Sequence, residues 1–150
     1  GCGNAMNNKC KFCEIINGNI PAQVVYRDDT VIALLDIHPH SRGHTLVCPI
    51  QHYADMCDMP ESTFRDVMTA AQRIAQHYRE TLGATGTNIL NASGKDAQQS
   101  VFHYHLHLLP RYPGDGIDAW PQMPDWKGDL DEILKLARIE HEKESTQSAP

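Results

Sequence analysis

Apolar and polar positions set the elements of this chain before any chemistry is considered. Val24, Val25 and Tyr26 form one short β-type run and residues 31–35 a second, and the turn-forming Asp28 and Asp29 between them predict a hairpin. A third run over residues 44–49 closes on Pro49, which suits a strand end because proline offers a ladder no N–H. Further on the period lengthens to three and four. Phe64, Val67, Met68, Ala71, Ile74, Ala75, Tyr78 and Leu82 make one apolar stripe of a long helix that Gly83 ends. Asp58 is expected to cap that helix, with Pro60 in its first turn and Glu61 completing a capping-box spacing. His77 lies off the stripe and is read as exposed. Residues 87–91 read as another strand. A short helical turn over Glu14, Ile15 and Ile16 is ended by Gly18. Leu130, Ile133, Leu134 and Ala137 predict a second amphipathic helix over residues 129–142. Residues 112–127, which hold both tryptophans, read as an irregular excursion.

The strictest pattern is His103, Tyr104, His105, Leu106, His107, Leu108 and Leu109. Alternation at period two predicts a strand with three imidazoles on one face and Tyr104, Leu106 and Leu108 on a core face. Two chemistries suit such a row: a metal site, or a site for small anions served by a histidine nucleophile. The loop 92–100 runs straight into this row and is rich in hydroxyl, amide and backbone donors, as a phosphate requires. Cys10 and Cys13, spaced as in a metal knuckle, fit a zinc half-site or a redox pair. A thioredoxin-type pair should follow a strand and open a long helix, and neither is predicted here. His38 and His40, in a polar loop interrupted by Pro39 and Gly43, read as solvated. Cys48 and Cys57, in apolar surroundings, read as buried small hydrophobes.

Composition narrows the partners. A chain of 150 residues with 41% hydrophobic content can bury a core of its own. Thirteen basic against nineteen acidic side chains give a net charge of -6, which excludes the broad basic footprint that binding a nucleic acid polymer needs. A small phosphate ligand held by local donors is still permitted. Neither a membrane span of about 18 apolar residues nor a secretory signal is visible, so a cytoplasmic protein with no membrane partner is expected. Five cysteines in a reducing compartment suggest thiols or metal ligands more than disulfides. Residues 1–5 precede Met6 and read as a cloning remnant, 6–144 as a single domain and 145–150 as a disordered tail.

The row of histidines resembles the signature of the histidine triad, or HIT, family: His-φ-His-φ-His-φ-φ with φ apolar. Tyr104, Leu106, Leu108 and Leu109 satisfy every φ. Residues 12–21 and 34–37, the run Gly43, His44, Thr45, Leu46 and Val47, then Asn91 and the run Gln99, Ser100 and Val101 resemble further family landmarks in order and spacing. The resemblance implies an α+β, HIT-like fold. Its elements would be an antiparallel sheet of about five strands, a long helix packed on it, and a short N-terminal and a C-terminal helix. It implies a purine nucleotide substrate and a homodimer joined by the long helix and a sheet edge. The activity implied is cleavage at the α-phosphate of nucleoside 5′-phosphoramidates or dinucleoside polyphosphates.

By the same resemblance His105 is the nucleophile that forms a nucleotidyl-histidine, and His107 and His44 contact phosphate. Ser100 or an imidazolium would assist the leaving group, and Gln99 and Asn91 supply polar contacts. Asp36 would hold the ribose hydroxyls, with Phe12, Ile15, Leu34 and Ile37 around the base. Members with this Cys-x-x-Cys start resemble a zinc-binding bacterial subgroup, in which Cys10, Cys13, His52 and His103 would close a structural Cys2His2 site. Gln98 stands where relatives usually carry glycine, so a positive φ there would strain it. Two rival readings are a nucleotide-binding interaction or regulatory protein with little turnover, and a thiol redox protein built on Cys10 and Cys13.

Overall fold

A computed structural model describes residues 10–140. The readings of 1–5 and 145–150, and the last residues of the helix expected over 129–142, lie outside the described residues. The chain divides into two compact units, one ending at Ala119 and the other beginning at Trp120.

The first unit is built on a five-stranded antiparallel sheet. The hairpin forms as β1 (Val24–Arg27) and β2 (Val31–Leu35), closed where Asp28 Oδ1 accepts the backbone N–H groups of Thr30 and Val31 at 2.8 Å each. β3 (Thr45–Pro49), β4 (Gly86–Leu90) and β5 (Leu106–Arg111) complete the sheet in the order β1-β2-β3-β5-β4. The long helix α2 (Glu61–Thr81) links β3 to β4, so β5, the last strand in sequence, is inserted between them. His107 therefore lies in the sheet interior, opposite Leu46 of β3 and Leu90 of β4.

Both faces of the sheet are covered, which explains the continuous apolar run of β2. On one face Val31, Ala33, Val47, Tyr104, Leu106 and Leu108 pack with Val67, Ala70, Ala71, Ile74 and Tyr78 of α2. On the other, Ile32, Leu34, Leu46 and Cys48 pack with Phe12 of α1 (Lys11–Ile16). Successive strand residues point to opposite faces, so His105 and His107 fall on the α1 side, as the alternation with Leu106 and Leu108 predicts. His77 is exposed, off the buried stripe.

Four sequence readings are corrected. The strand expected from His103 begins only at Leu106, so the first two histidines of the row lie in extended chain ahead of the ladder. Asp58 does not cap α2: the N-cap is Pro60 without a side-chain bond, and Asp58 Oδ2 accepts from Ala54 N at 2.9 Å. Cys48 is buried, and burial pushes its thiol pKa up, but Cys57 is exposed in a turn between β3 and α2. In the second unit the helix α3 spans Leu130–Ala137 and ends at Arg138, short of residue 142, with Asp129 as its N-cap.

Candidate functional site

Two clusters meet where α1 lies against the sheet. The first gathers Cys10, Cys13, His52 and His103, whose ligand atoms all lie within 4.8 Å of one another. Cys10 is the N-cap of α1 and Cys13 sits one turn in, so the helix turn itself sets the spacing of the two sulfurs. His103 is fully buried, and its Nδ1 stands 3.3 Å from Cys10 Sγ and 3.6 Å from Cys13 Sγ. His52, just past β3, brings its Nδ1 to 3.3 Å from Cys13 Sγ. The other nitrogen of His103, Nε2, lies 2.9 Å from the carbonyl of Pro49 and donates to it, which leaves the Nδ1 lone pair facing the sulfurs. Burial lowers the pKa of His103 to about 4, so the ring is a neutral donor. Two sulfurs and two imidazoles make a donor set suited to a tetrahedral metal ion.

The second cluster is a row of imidazoles beside the first. Ring centroids of His105 and His107 are 5.1 Å apart, those of His107 and His44 5.2 Å, and those of His44 and His40 5.4 Å. Backbone groups dictate which nitrogens carry protons. His105 Nδ1 lies 2.9 Å from the carbonyl of His103, a pure acceptor, so Nδ1 carries the hydrogen and Nε2 keeps its lone pair. His44 Nδ1 accepts the N–H of His40 at 3.1 Å, so its Nε2 is the protonated nitrogen and donates to His107 Nδ1 at 2.9 Å. His107 is thereby left with Nε2–H as a donor. Burial lowers the pKa of His44 and, with the neighbouring His105 and His44, that of His107 to about 4, so both rings are neutral near pH 7.

Asp36, His44 and His107 also bring three ligand atoms together, with Asp36 Oδ2 3.5 Å from His44 Nε2. A metal there would need the lone pair of the nitrogen that the His40 N–H forces to carry hydrogen. The set reads as a hydrogen-bonded relay.

The row opens on a cleft of about 380 Å³. Phe12, Ile15, Leu34, Ile37, Asp36, Ser100, His105 and His107 all line it, as expected of candidate site residues. Phe12 also packs its ring 5.0 Å from that of His105 and 5.6 Å from that of His103. His44 is buried and touches His107 from behind. Asn91 and Gln99 do not line the cleft. Asn91 Nδ2 donates to the carbonyl of His105 at 2.9 Å, and Gln99 is buried with its amide spent on Gly94 N, Ala54 O and Val101 O. Gln98 does adopt a positive φ, 71°, the only non-glycine among the described residues to do so.

The sequence reading missed His38, His40 and Lys11, which line the cleft. Proximity to Asp36 was the available signal for the two histidines. Both histidines stay exposed, as expected of a polar loop, and Gly43 closes that loop at φ 91°, where a Cβ would stand 2.7 Å from Leu82 Cδ1. Asp36 Oδ1 secures the near end by accepting His38 N at 2.8 Å.

Comparison with known proteins fits this geometry. Residues 17–114 match the HIT domain family model. An uncharacterized HIT-like protein of Methanocaldococcus jannaschii is 43% identical over 127 residues, covering 84% of this chain and 96% of that one. The adenylylsulfatase HINT3 of Arabidopsis thaliana is 33% identical over 114 residues, 76% of this chain and 58% of that one. Among solved structures, a zinc-bound histidine triad family protein from Mycobacterium smegmatis superposes with a TM-score of 0.71 at 44% identity, covering 79% of this chain and 85% of that one.

Proposed function

The chain belongs to the HIT domain family, and from that premise we propose that it is a nucleotide-binding hydrolase acting at the α-phosphate of nucleoside 5′-phosphoramidates or dinucleoside polyphosphates. The observation that carries this reading is the tautomer of His105. With Nδ1–H held by the His103 carbonyl, Nε2 presents a lone pair at the cleft. In the proposed reaction that lone pair attacks phosphorus in line, the P–N or P–O bond to the leaving group breaks, and a nucleotidyl-histidine forms. Water then attacks the same phosphorus, the bond from phosphorus to His105 Nε2 breaks, and the nucleoside monophosphate leaves, with one proton of the water passing to solvent.

Stabilisation of the transition state falls to fixed donors near the equatorial oxygens. His107 Nε2–H is one, held in that tautomer by the chain from His40 N through His44. Ser100, at the cleft wall, is the candidate partner of the leaving group. Asp36 serves the ribose hydroxyls, and Phe12, Ile15, Leu34 and Ile37 the purine face. Asn91 and Gln99 serve as supports of the loop, because their amides are already committed to backbone groups.

Cys10, Cys13, His52 and His103 are proposed to hold a structural zinc ion, which on binding supplies four closed bonds and no open position for water. The donor set and the zinc-bound relative support this. A relative named as an adenylylsulfatase supports cleavage next to an adenylyl phosphorus. We further propose a cytoplasmic homodimer. The dimer is supported by a groove of about 720 Å³ between α2 and the edge strand β4, lined by Met68, Ala75 and Ile89 among others; among the described residues no helix is long and apolar enough to cross a membrane.

The test compares adenosine 5′-phosphoramidate with diadenosine polyphosphates, using the wild type and His105→Ala. Turnover of at least one substrate is expected, with a nucleotidyl-protein trapped by rapid acid quench. His105→Ala should lose at least a thousandfold in kcat, in line with removal of a covalent nucleophile. Full activity in that variant would remove His105 from the mechanism.

A further inference from the structure

The residue proposed to attack phosphorus is the last one ahead of the sheet ladder. Pairing of β5 begins at Leu106, opposite Val47, so His105 itself has no cross-strand partner residue. Groups outside the ladder hold the chain around it. Tyr104 N donates to the carbonyl of Tyr53 at 2.7 Å, and the carbonyl of His105 accepts from Asn91 Nδ2 at 2.9 Å.

An amide side chain can present either its nitrogen or its oxygen to that carbonyl, and only the nitrogen makes a bond. Here the nitrogen faces it, because the carbonyl can only accept, and Ser93 holds the other end of the amide, the oxygen. Its Oγ accepts the N–H of Met56 at 3.1 Å, and its hydroxyl hydrogen is given to Asn91 Oδ1 at 2.8 Å. With Oδ1 occupied, Nδ2 faces His105. Turning the amide over would set its oxygen against a carbonyl. Ser93 thus ties the Asn91 amide to Met56 N, in the segment that follows His52. Gln99 Nε2, on the Ala54 carbonyl at 2.6 Å, fastens the same segment to the other flank of the loop.

We propose that Ser93 is a positioning residue for the attack, acting through Asn91 on the backbone of His105. This rests on the reading of His105 as the nucleophile. Neither Ser93 nor Asn91 lines the cleft, so they would set the aim of His105 and leave substrate affinity alone. Small displacements of a reacting group cost large factors in rate.

With adenosine 5′-phosphoramidate as probe, Ser93→Ala is expected to lower kcat roughly tenfold with KM within about twofold. Ser93→Thr keeps the hydroxyl and should return kcat to within about twofold of wild type. Because Ser93 acts through Asn91, the Asn91→Ala, Ser93→Ala double variant should be no slower than Asn91→Ala alone. Imidazole 15N NMR supplies a readout independent of turnover: the His105 resonances should shift in Ser93→Ala and return in Ser93→Thr. Wild-type kcat with unmoved His105 resonances in Ser93→Ala would overturn the proposal, as would an effect on KM alone or fully additive losses. If the wild type forms no nucleotidyl-protein, the hydrolase reading fails instead, and the His105 resonances still decide whether Ser93 positions that ring.

Discussion

Burial lowers the pKa of His107 to about 4 from an ordinary 6.5, with His105 and His44 adding to the effect and Asp36 opposing it. Between those two values the unfolded chain binds a proton at His107 that the folded chain does not. Its contribution to stability is therefore complete above about pH 6.5 and is lost as pH falls toward 4. Thermal unfolding followed from pH 7.5 to 4.5 should show that loss, and His107→Gln should make the slope shallower; an unchanged slope would mean that His107 titrates normally. Gln98 provides a second check at this scale. Its φ of 71° is a conformation that costs a side chain about 1 kcal/mol or more. Gln98→Gly is expected to raise stability by up to about 1 kcal/mol in denaturant titration, and a loss of stability would show that the Gln98 side chain contributes contacts outweighing the strain. That strain was foreseen only through likeness to a family whose members usually carry glycine there. The place of His38 and His40 at the cleft wall was not foreseen, because the other residues of that wall come from distant parts of the chain.

α1 joins two jobs that the sequence listed separately. Its N-cap and third residue are Cys10 and Cys13, while Phe12 and Ile15 on the same short helix line the cleft. A six-residue helix has little stability of its own, so whatever fixes the two sulfurs also fixes this wall of the cleft. Stripping metal with a chelator should lower Tm and weaken binding of adenosine 5′-monophosphate about tenfold, measured by calorimetry on metal-loaded and metal-free protein. Equal affinities in a metal-free protein that remains folded would separate α1's two jobs. The helix α2 was readable because its stripe repeats over many turns; its cap was not, because Asp58 had a competing partner in Ala54 N. The start of β5 escaped for a related reason. Alternation describes which way side chains point, and extended chain alternates whether or not a neighbouring strand is there to pair.

The whole molecule places β5 between β3 and β4, and this late insertion brings His107 beside His44. The same topology leaves β4 at the sheet edge next to the groove on α2. If that face joins two copies, Ile89→Asp should give a monomer by sedimentation, with half the mass of the wild type; a wild type that is already monomeric at micromolar concentration would remove the proposed dimer. The amino-acid sequence by itself determined the elements and the identity of the chemical groups, since hydrophobic period and residue type are local properties. It assigned Cys10, Cys13, His52 and His103 to one site only through likeness to a family. Tertiary structure alone decided which nitrogen of each imidazole carries its hydrogen, because that is set by the carbonyl of Pro49, the carbonyl of His103 and the N–H of His40. Through those backbone groups three like side chains acquire unlike surroundings: His103 faces the sulfurs, His105 keeps a lone pair for the cleft, and His107 offers it a hydrogen.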